Sequence, residues 1–200
     1  MSVTSPSKRG NRAPYLKSFS ITKGKIAGNH IVKARMGSTK EEVIYGQHYM
    51  RNSRRQKILK PNIRYTDKNG YTYETDGNGR IIKASAKKLV LGDGKRNKHA
   101  QRTVGKGRGR RSTDDGGHIF GSRFNGSGDI DNLLPQDSGV NRSGGEWYLM
   151  EEEWANALHD NSEVRVLVYP RYRGNSHRPS CYIVIYWIDG RLHRKIISNR

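Results

Sequence analysis

From residue 62 onward, apolar and polar positions alternate in short stretches. Ile63-Arg-Tyr65 and Tyr71-Thr-Tyr73 each set one polar residue between two apolar ones, the period of a half-buried strand. Between them Asn69-Gly70 suits the positive φ angles of a tight hairpin turn. Asp76-Gly-Asn-Gly79 supplies a second turn and leads into Arg80-Ile-Ile-Lys-Ala84, so the region predicts a β-meander, with Leu89-Val-Leu91 as a further short strand. One segment carries a helical period instead. Within residues 146–158, Trp147, Met150, Trp154 and Leu158 recur three or four apart and form one apolar face. Glutamates toward its N-terminal half suit the positive end of the helix dipole. The chain then returns to strand patterns at Val164–Tyr169 and Tyr182–Ile188, and Asp189-Gly190 turns it into Arg191–Ile197.

These elements predict an α+β domain, an antiparallel sheet with one principal helix packed on it. Ahead of it the pattern weakens. Residues 26–60 hold scattered apolar groups such as Ile31-Val32 and Val43-Ile44-Tyr45 and specify no element. Residues 1 to about 25, rich in Ser, Lys, Arg, Gly and Pro, read as a disordered basic arm. The expected organisation is a basic, partly disordered extension over 1–60 and a folded domain over 61–200.

Charge sharpens this division. The 200 residues hold 38 Lys+Arg and 18 Asp+Glu, a net +20. Residues 1–113 hold 28 Lys+Arg and 6 Asp+Glu, or +22, and residues 114–200 hold 10 and 12, or −2. The basic character therefore belongs wholly to the first part, and an excess of that size is the footprint of a polyanion binder, nucleic acid above all. Residues 92–113, with Gly105-Lys-Gly-Arg-Gly-Arg-Arg111, read as a flexible basic loop able to track a phosphate backbone. Its spacing is not that of a Walker loop. Arg102, Arg108, Arg110 and Arg111 are its candidate substrate contacts. No basic stretch has the spacing of a membrane-surface helix, and no apolar run approaches the ~18 residues of a span, so no membrane partner is expected.

The chemistry concentrates in residues 114–151. Asp114-Asp-Gly-Gly-His118 opens the segment, and Asp131-Asn-Leu-Leu-Pro-Gln136 leads to Asn141, then Trp147 and Glu151 four apart on the predicted helix. This order resembles that of the DNA/RNA non-specific endonucleases, a ββα-metal (His-Me finger) family with an Asp-Arg-Gly-His motif, a later Asn-x-x-Pro-Gln segment, an Asn, and a helical Trp and Glu. Asp115, Gly117 and His118 match the first motif, Asn132, Pro135 and Gln136 the second. The Asp-Asp-Gly-Gly-His form, with Lys95–Gln101 upstream, is similar to the branch found as C-terminal toxin domains of bacterial secreted antibacterial proteins. Gly116 departs from the family by standing where the motif has arginine, and the interval from Asn141 to Trp147 is longer than the family's.

The resemblance, which covers roughly residues 62–200, implies a metal-dependent endonuclease acting on DNA, with RNA as a second substrate. His118 would activate the water, because an imidazole with a pKa near ~6.5 is poised for proton transfer. Asn141 would hold a Mg²⁺ (or Mn²⁺), a cation that keeps most of its own water. Glu151 would accept hydrogen bonds from the waters around it, while Asp114, Asp115, Asn132 and Gln136 support the motif. The toxin branch implies bacterial origin, secretion by a route without a signal peptide, and an acidic immunity protein as partner; a cytoplasmic location fits the same residues. The remaining histidines show no metal-ligand spacing, which argues against a zinc site. Cys181, inside an apolar run, reads as a buried thiol. A non-catalytic basic nucleic-acid binder would explain the charge equally well, but not the ordered motif in the near-neutral part of the chain.

Overall fold

The structure, a computed structural model, describes residues 40–200; the basic arm and Ile31-Val32 lie outside the described residues. The described residues begin with three short strands, β1 (Glu41–Val43), β2 (Tyr49–Arg51) and β3 (Lys57–Leu59). The predicted meander follows as β4 (Ile63–Thr66), β5 (Thr72–Thr75) and β6 (Ile81–Ala86). Next come helix α1 (Lys98–Thr103), β7 (Asp114–His118), β8 (Leu133–Asp137), the single-turn helix α2 (Ser138–Asn141) and the long helix α3 (Glu146–His159). Strands β9 (Val164–Tyr172), β10 (Pro179–Ile188) and β11 (Arg191–Ser198) complete the chain.

Seven strands form one sheet in the order β1-β4-β5-β6-β9-β10-β11, antiparallel except where β1 runs parallel to β4. The alternation seen in the sequence is its buried face: Val164, Val166 and Val168 of β9 and Tyr182, Val184 and Tyr186 of β10 are fully buried. Helix α3 lies on that face through Trp147, Met150, Trp154 and Ala155. Trp147 meets the Tyr182 ring edge-on at 4.9 Å between centroids, and Trp154 meets Tyr186 at 5.6 Å. Such aromatic pairs add to the area they bury, so truncating Trp154 to Ala would cost on the order of 3–5 kcal/mol.

Three expectations change. Residues 40–60 carry β1, β2 and β3, with Glu41 paired to Ile63, and residues 40–200 lie within one compact unit, so the folded part starts well before residue 60. β1 gave no periodic signal because it lies at the sheet edge and none of its side chains is fully buried. Leu89–Leu91 is not a strand: Leu89 is buried and donates its N–H to Val164 at 2.8 Å, but no ladder extends from that bond. The basic stretch 92–113 is not a bare loop, because α1 interrupts it. Asn97 Oδ1 caps the helix by accepting from the N–H groups of His99 and Ala100.

Candidate active site

Strands β7 and β8 form a two-stranded antiparallel ribbon in which Asp115 faces Gln136, Gly116 faces Pro135 and His118 faces Leu133. With α3 it makes a ββα unit, and its position on the main sheet is fixed by charge. Asp114, fully buried, accepts from the Arg178 guanidinium at 2.8 Å, and Arg178 also binds the carbonyls of Asn199 and Arg200. Asn199 in turn donates to Pro135 and accepts from the Asp137 N–H. The C-terminus thereby clamps the ribbon. Asp114 and Asp115 open strand β7.

Gly116 explains its departure from the family motif. A Cβ there would lie 2.3 Å from the Gln101 carbonyl oxygen, because α1 packs directly on β7 at this point. Downstream of His118, fully buried Asn132 folds the loop back onto the ribbon. Its Oδ1 accepts from the Phe120 N–H and the Tyr73 hydroxyl, and its Nδ2 donates to the carbonyls of Phe120 and Ser127. Gln136, also buried, lies over Gly117. Both are supports of the His118 strand and do not line the cleft.

His118, Asn141 and Glu151 line one cleft of about 320 Å³, together with Arg96, Arg123 and Arg142. The Nε2 of His118 is buried and makes no hydrogen bond among the described residues. Burial, reinforced by the neighbouring positive charge of Arg96, holds the imidazole down at about 4, so the ring is neutral near pH 7. Asn141 ends α2 and donates its amide to Asp115 at 3.2 Å. The longer interval before α3 is taken up by a turn in which the Gly145 N–H returns to the Arg142 carbonyl and Gly144 adopts φ 83°. Glu151, one turn beyond Trp147 on α3, accepts from the Gly121 N–H at 3.1 Å. Burial pushes its carboxyl up to about 7 against the opposing pull of Arg123 and of that N–H.

The cations of the cleft are unequally committed. Arg142 forms a two-point pair with Asp115 at 2.9 and 3.0 Å, and Arg123 is paired with Glu152. Arg96 lines the cleft and makes one side-chain hydrogen bond among the described residues, Nε to the Ser122 hydroxyl at 3.2 Å. None of the four arginines expected from the basic loop lines this cleft. Arg110 spends its guanidinium on the carbonyls of Gln101, Val104 and Asp114. Arg108 lies against His177 beyond α1, and the exposed Arg102 and Arg111 line neither this cleft nor the larger groove described below. Sequence reasoning missed Arg96, although it stands inside the Lys95–Gln101 stretch that carried the resemblance.

Among the described residues no three His, Cys, Asp or Glu side chains cluster as a metal-binding set. The cleft does offer hard oxygen donors. Because the Asn141 amide nitrogen is engaged by Asp115, its Oδ1 is the free acceptor, and the Glu151 carboxylate lies in the same cleft. That donor set suits a divalent cation bound through few protein ligands.

A family model for DNA/RNA non-specific endonuclease matches residues 61–190. The chain is 44% identical over 163 residues to type VII secretion system protein EssD of Staphylococcus aureus strain USA300, and equally to that of strain NCTC 8325 / PS 47. Those matches cover 80% of this chain and 26% of the relatives, so the chain spans about a quarter of their length. Among solved structures, NucA from Streptococcus agalactiae with magnesium ion bound shares 18% identity at a TM-score of 0.51 over 72% of this chain and 80% of that one, a likeness of fold. The match over most of the described domain, and over the ribbon, cleft and long helix alike, shows that this chain belongs to the DNA/RNA non-specific endonuclease family.

Proposed function

We propose that this endonuclease hydrolyses phosphodiester bonds of DNA, and of RNA as a second substrate, with the help of Mg²⁺ or Mn²⁺ and without sequence preference. The observation that carries the reading is the convergence of His118, Asn141 and Glu151 on one cleft beside Arg96. His118, neutral near pH 7 and lining the cleft, takes the proton of the attacking water. Asn141 would hold the cation through Oδ1, and the cation would supply positive charge against that developing on the phosphate and the leaving oxygen. Glu151, anchored by the Gly121 N–H, orders the waters of the cleft. Arg96 supplies the phosphate contact that Gly116 cannot. Contacts of this kind grip a backbone and read no base, which is why specificity is low.

The likeness to type VII secretion proteins favours a secreted antibacterial role, restrained in the producer by an acidic immunity protein that complements the basic surface. The test is degradation of plasmid and of RNA by the purified protein with Mg²⁺ or with EDTA, beside Asn141→Ala. Cleavage abolished by EDTA, and needing much more Mg²⁺ in the variant, supports the reading. EDTA-resistant cleavage refutes the metal role.

A further inference from the structure

On the far side of α1 lies a larger groove of about 640 Å³. Helix α1 is the wall between the two sites: Gln101 belongs to the cleft, while Ala100, Thr103 and Val104 belong to the groove. The groove has two chemically distinct parts. Its floor is apolar, made by Leu59, Val104, Leu133, Leu134 and Pro135 among others. Its rim is cationic, with Arg51, Arg55 and Lys57 from the β2–β3 hairpin facing Lys106 and Arg108 from the loop after α1. The one acidic residue lining it, Asp129, is paired with Lys57. Arg55 and Lys106 form no side-chain ion pair among the described residues, and Arg108 is set in place by His177, whose backbone N–H binds the Arg108 carbonyl at 2.7 Å. Burial and the nearby Arg108 hold His177 down at about 4, so it is a neutral partner for that guanidinium near pH 7.

A cavity with an apolar floor and a rim of one charge sign suits a ligand with a flat, weakly polar body and anionic flanks. We propose that this groove takes an unpaired nucleotide of the substrate strand, its base on the apolar floor and its neighbouring phosphates on Arg55 and Lys106. The proposal rests on the nuclease reading. A helix is about 10 Å across, roughly three nucleotides at about 3.4 Å per step, so a strand cleaved beside His118 reaches the groove within a few residues of the scissile bond. Single-strand sites commonly combine a positive groove with aromatic side chains on which bases stack, and the Tyr172 ring lines this groove beside the aliphatic floor. On this proposal Lys106 and Arg108 of the basic loop meet the strand at a second station and not at the scissile phosphate.

Binding is measured by fluorescence anisotropy on the full chain carrying His118→Ala, with a single-stranded oligonucleotide, a duplex, and an abasic strand of the same length. Arg55→Gln/Lys106→Gln is compared in that background, and kcat and KM are measured for the same pair in the otherwise wild-type enzyme. The expected result is at least a tenfold loss for the single strand, a salt slope shallower by about 1.4 for two lost contacts, a smaller loss for the duplex, and a raised KM with kcat unchanged. Wild-type rim residues should also bind the base-bearing strand several-fold tighter than the abasic one. Equal affinity for those two strands, or an unchanged salt slope in the double variant, overturns the proposal. Competition by polyglutamate with no change in the DNA slope makes the groove a docking surface for an acidic protein, and the proposal falls. Absence of cleavage by folded wild-type protein would count against the nuclease reading instead, and the binding comparison is independent of it.

Discussion

Asp115 holds Asn141 by a 3.2 Å hydrogen bond in which the asparagine amide donates, so the strand bearing His118 also orients the proposed metal ligand. Supporting contacts of this kind commonly affect metal affinity about 10–100-fold. Asp115→Ala should raise the Mg²⁺ concentration for half-maximal cleavage by that order. Arg142→Ala, which removes the other partner of Asp115 and spares the Asn141 bond, should change it much less. Equal effects of the two variants, or none, would separate Asp115 from the metal site.

His118 and Glu151 make opposite contributions to the pH dependence of stability. With its folded pKa at about 4, His118 takes up a proton on unfolding between roughly pH 4 and 6.5, so its contribution is lost as pH falls through that window. Glu151, at about 7 in the fold, releases its proton on unfolding, so its contribution is lost as pH rises from about 4.5 to 7. Each is on the order of 3 kcal/mol at full amplitude. In urea unfolding with EDTA present, the stability of wild type relative to Glu151→Gln should fall as pH rises through that window. Relative to His118→Ala it should climb. Parallel profiles would contradict both assignments.

The Asp114–Arg178 pair joins the ribbon to the C-terminus, with side chains 0% and 7% exposed. Removing one partner strands a buried charge, so Arg178→Ala should cost roughly 3–5 kcal/mol in chemical denaturation. Pairing it with Asp114→Ala should recover part of that loss. A loss under about 1 kcal/mol for the single variant would mean the pair is solvated.

Gly116 is confined by the Gln101 backbone 2.3 Å from where a Cβ would stand. Gly116→Ala should therefore destabilise by about 1–3 kcal/mol, and Gly116→Arg, which restores the family's residue, should do no better. A stable Gly116→Arg protein with higher activity would show that α1 can yield.

Much of this architecture was legible because it is written in short-range periods. The meander, the 146–159 helix and the last three strands alternate or recur on their own, and the structure moves their ends by a few residues. β1 carries no such mark, since an edge strand is specified by the backbone of β4 and not by its own side chains. The cleft residues were found through their order along the chain, which resembles that of a known family. Their orientation was not, because the Asn141–Asp115 bond spans 26 positions and the Arg178–Asp114 pair 64. Arg96 was missed because one arginine among the many of a basic stretch looks like the rest. Only the packing of α1 on Gly116 sorts Arg96 and Gln101 to the cleft and Lys106 and Arg108 to the groove.

One comparison decides whether His118 is the base. Wild type and His118→Ala are assayed for Mg²⁺-dependent plasmid cleavage and, in parallel, for DNA affinity at fixed salt. Loss of about 10²–10⁴ in rate with affinity nearly unchanged is the predicted result for a general base. Cleavage by His118→Ala at close to the wild-type rate would exclude His118 as the base.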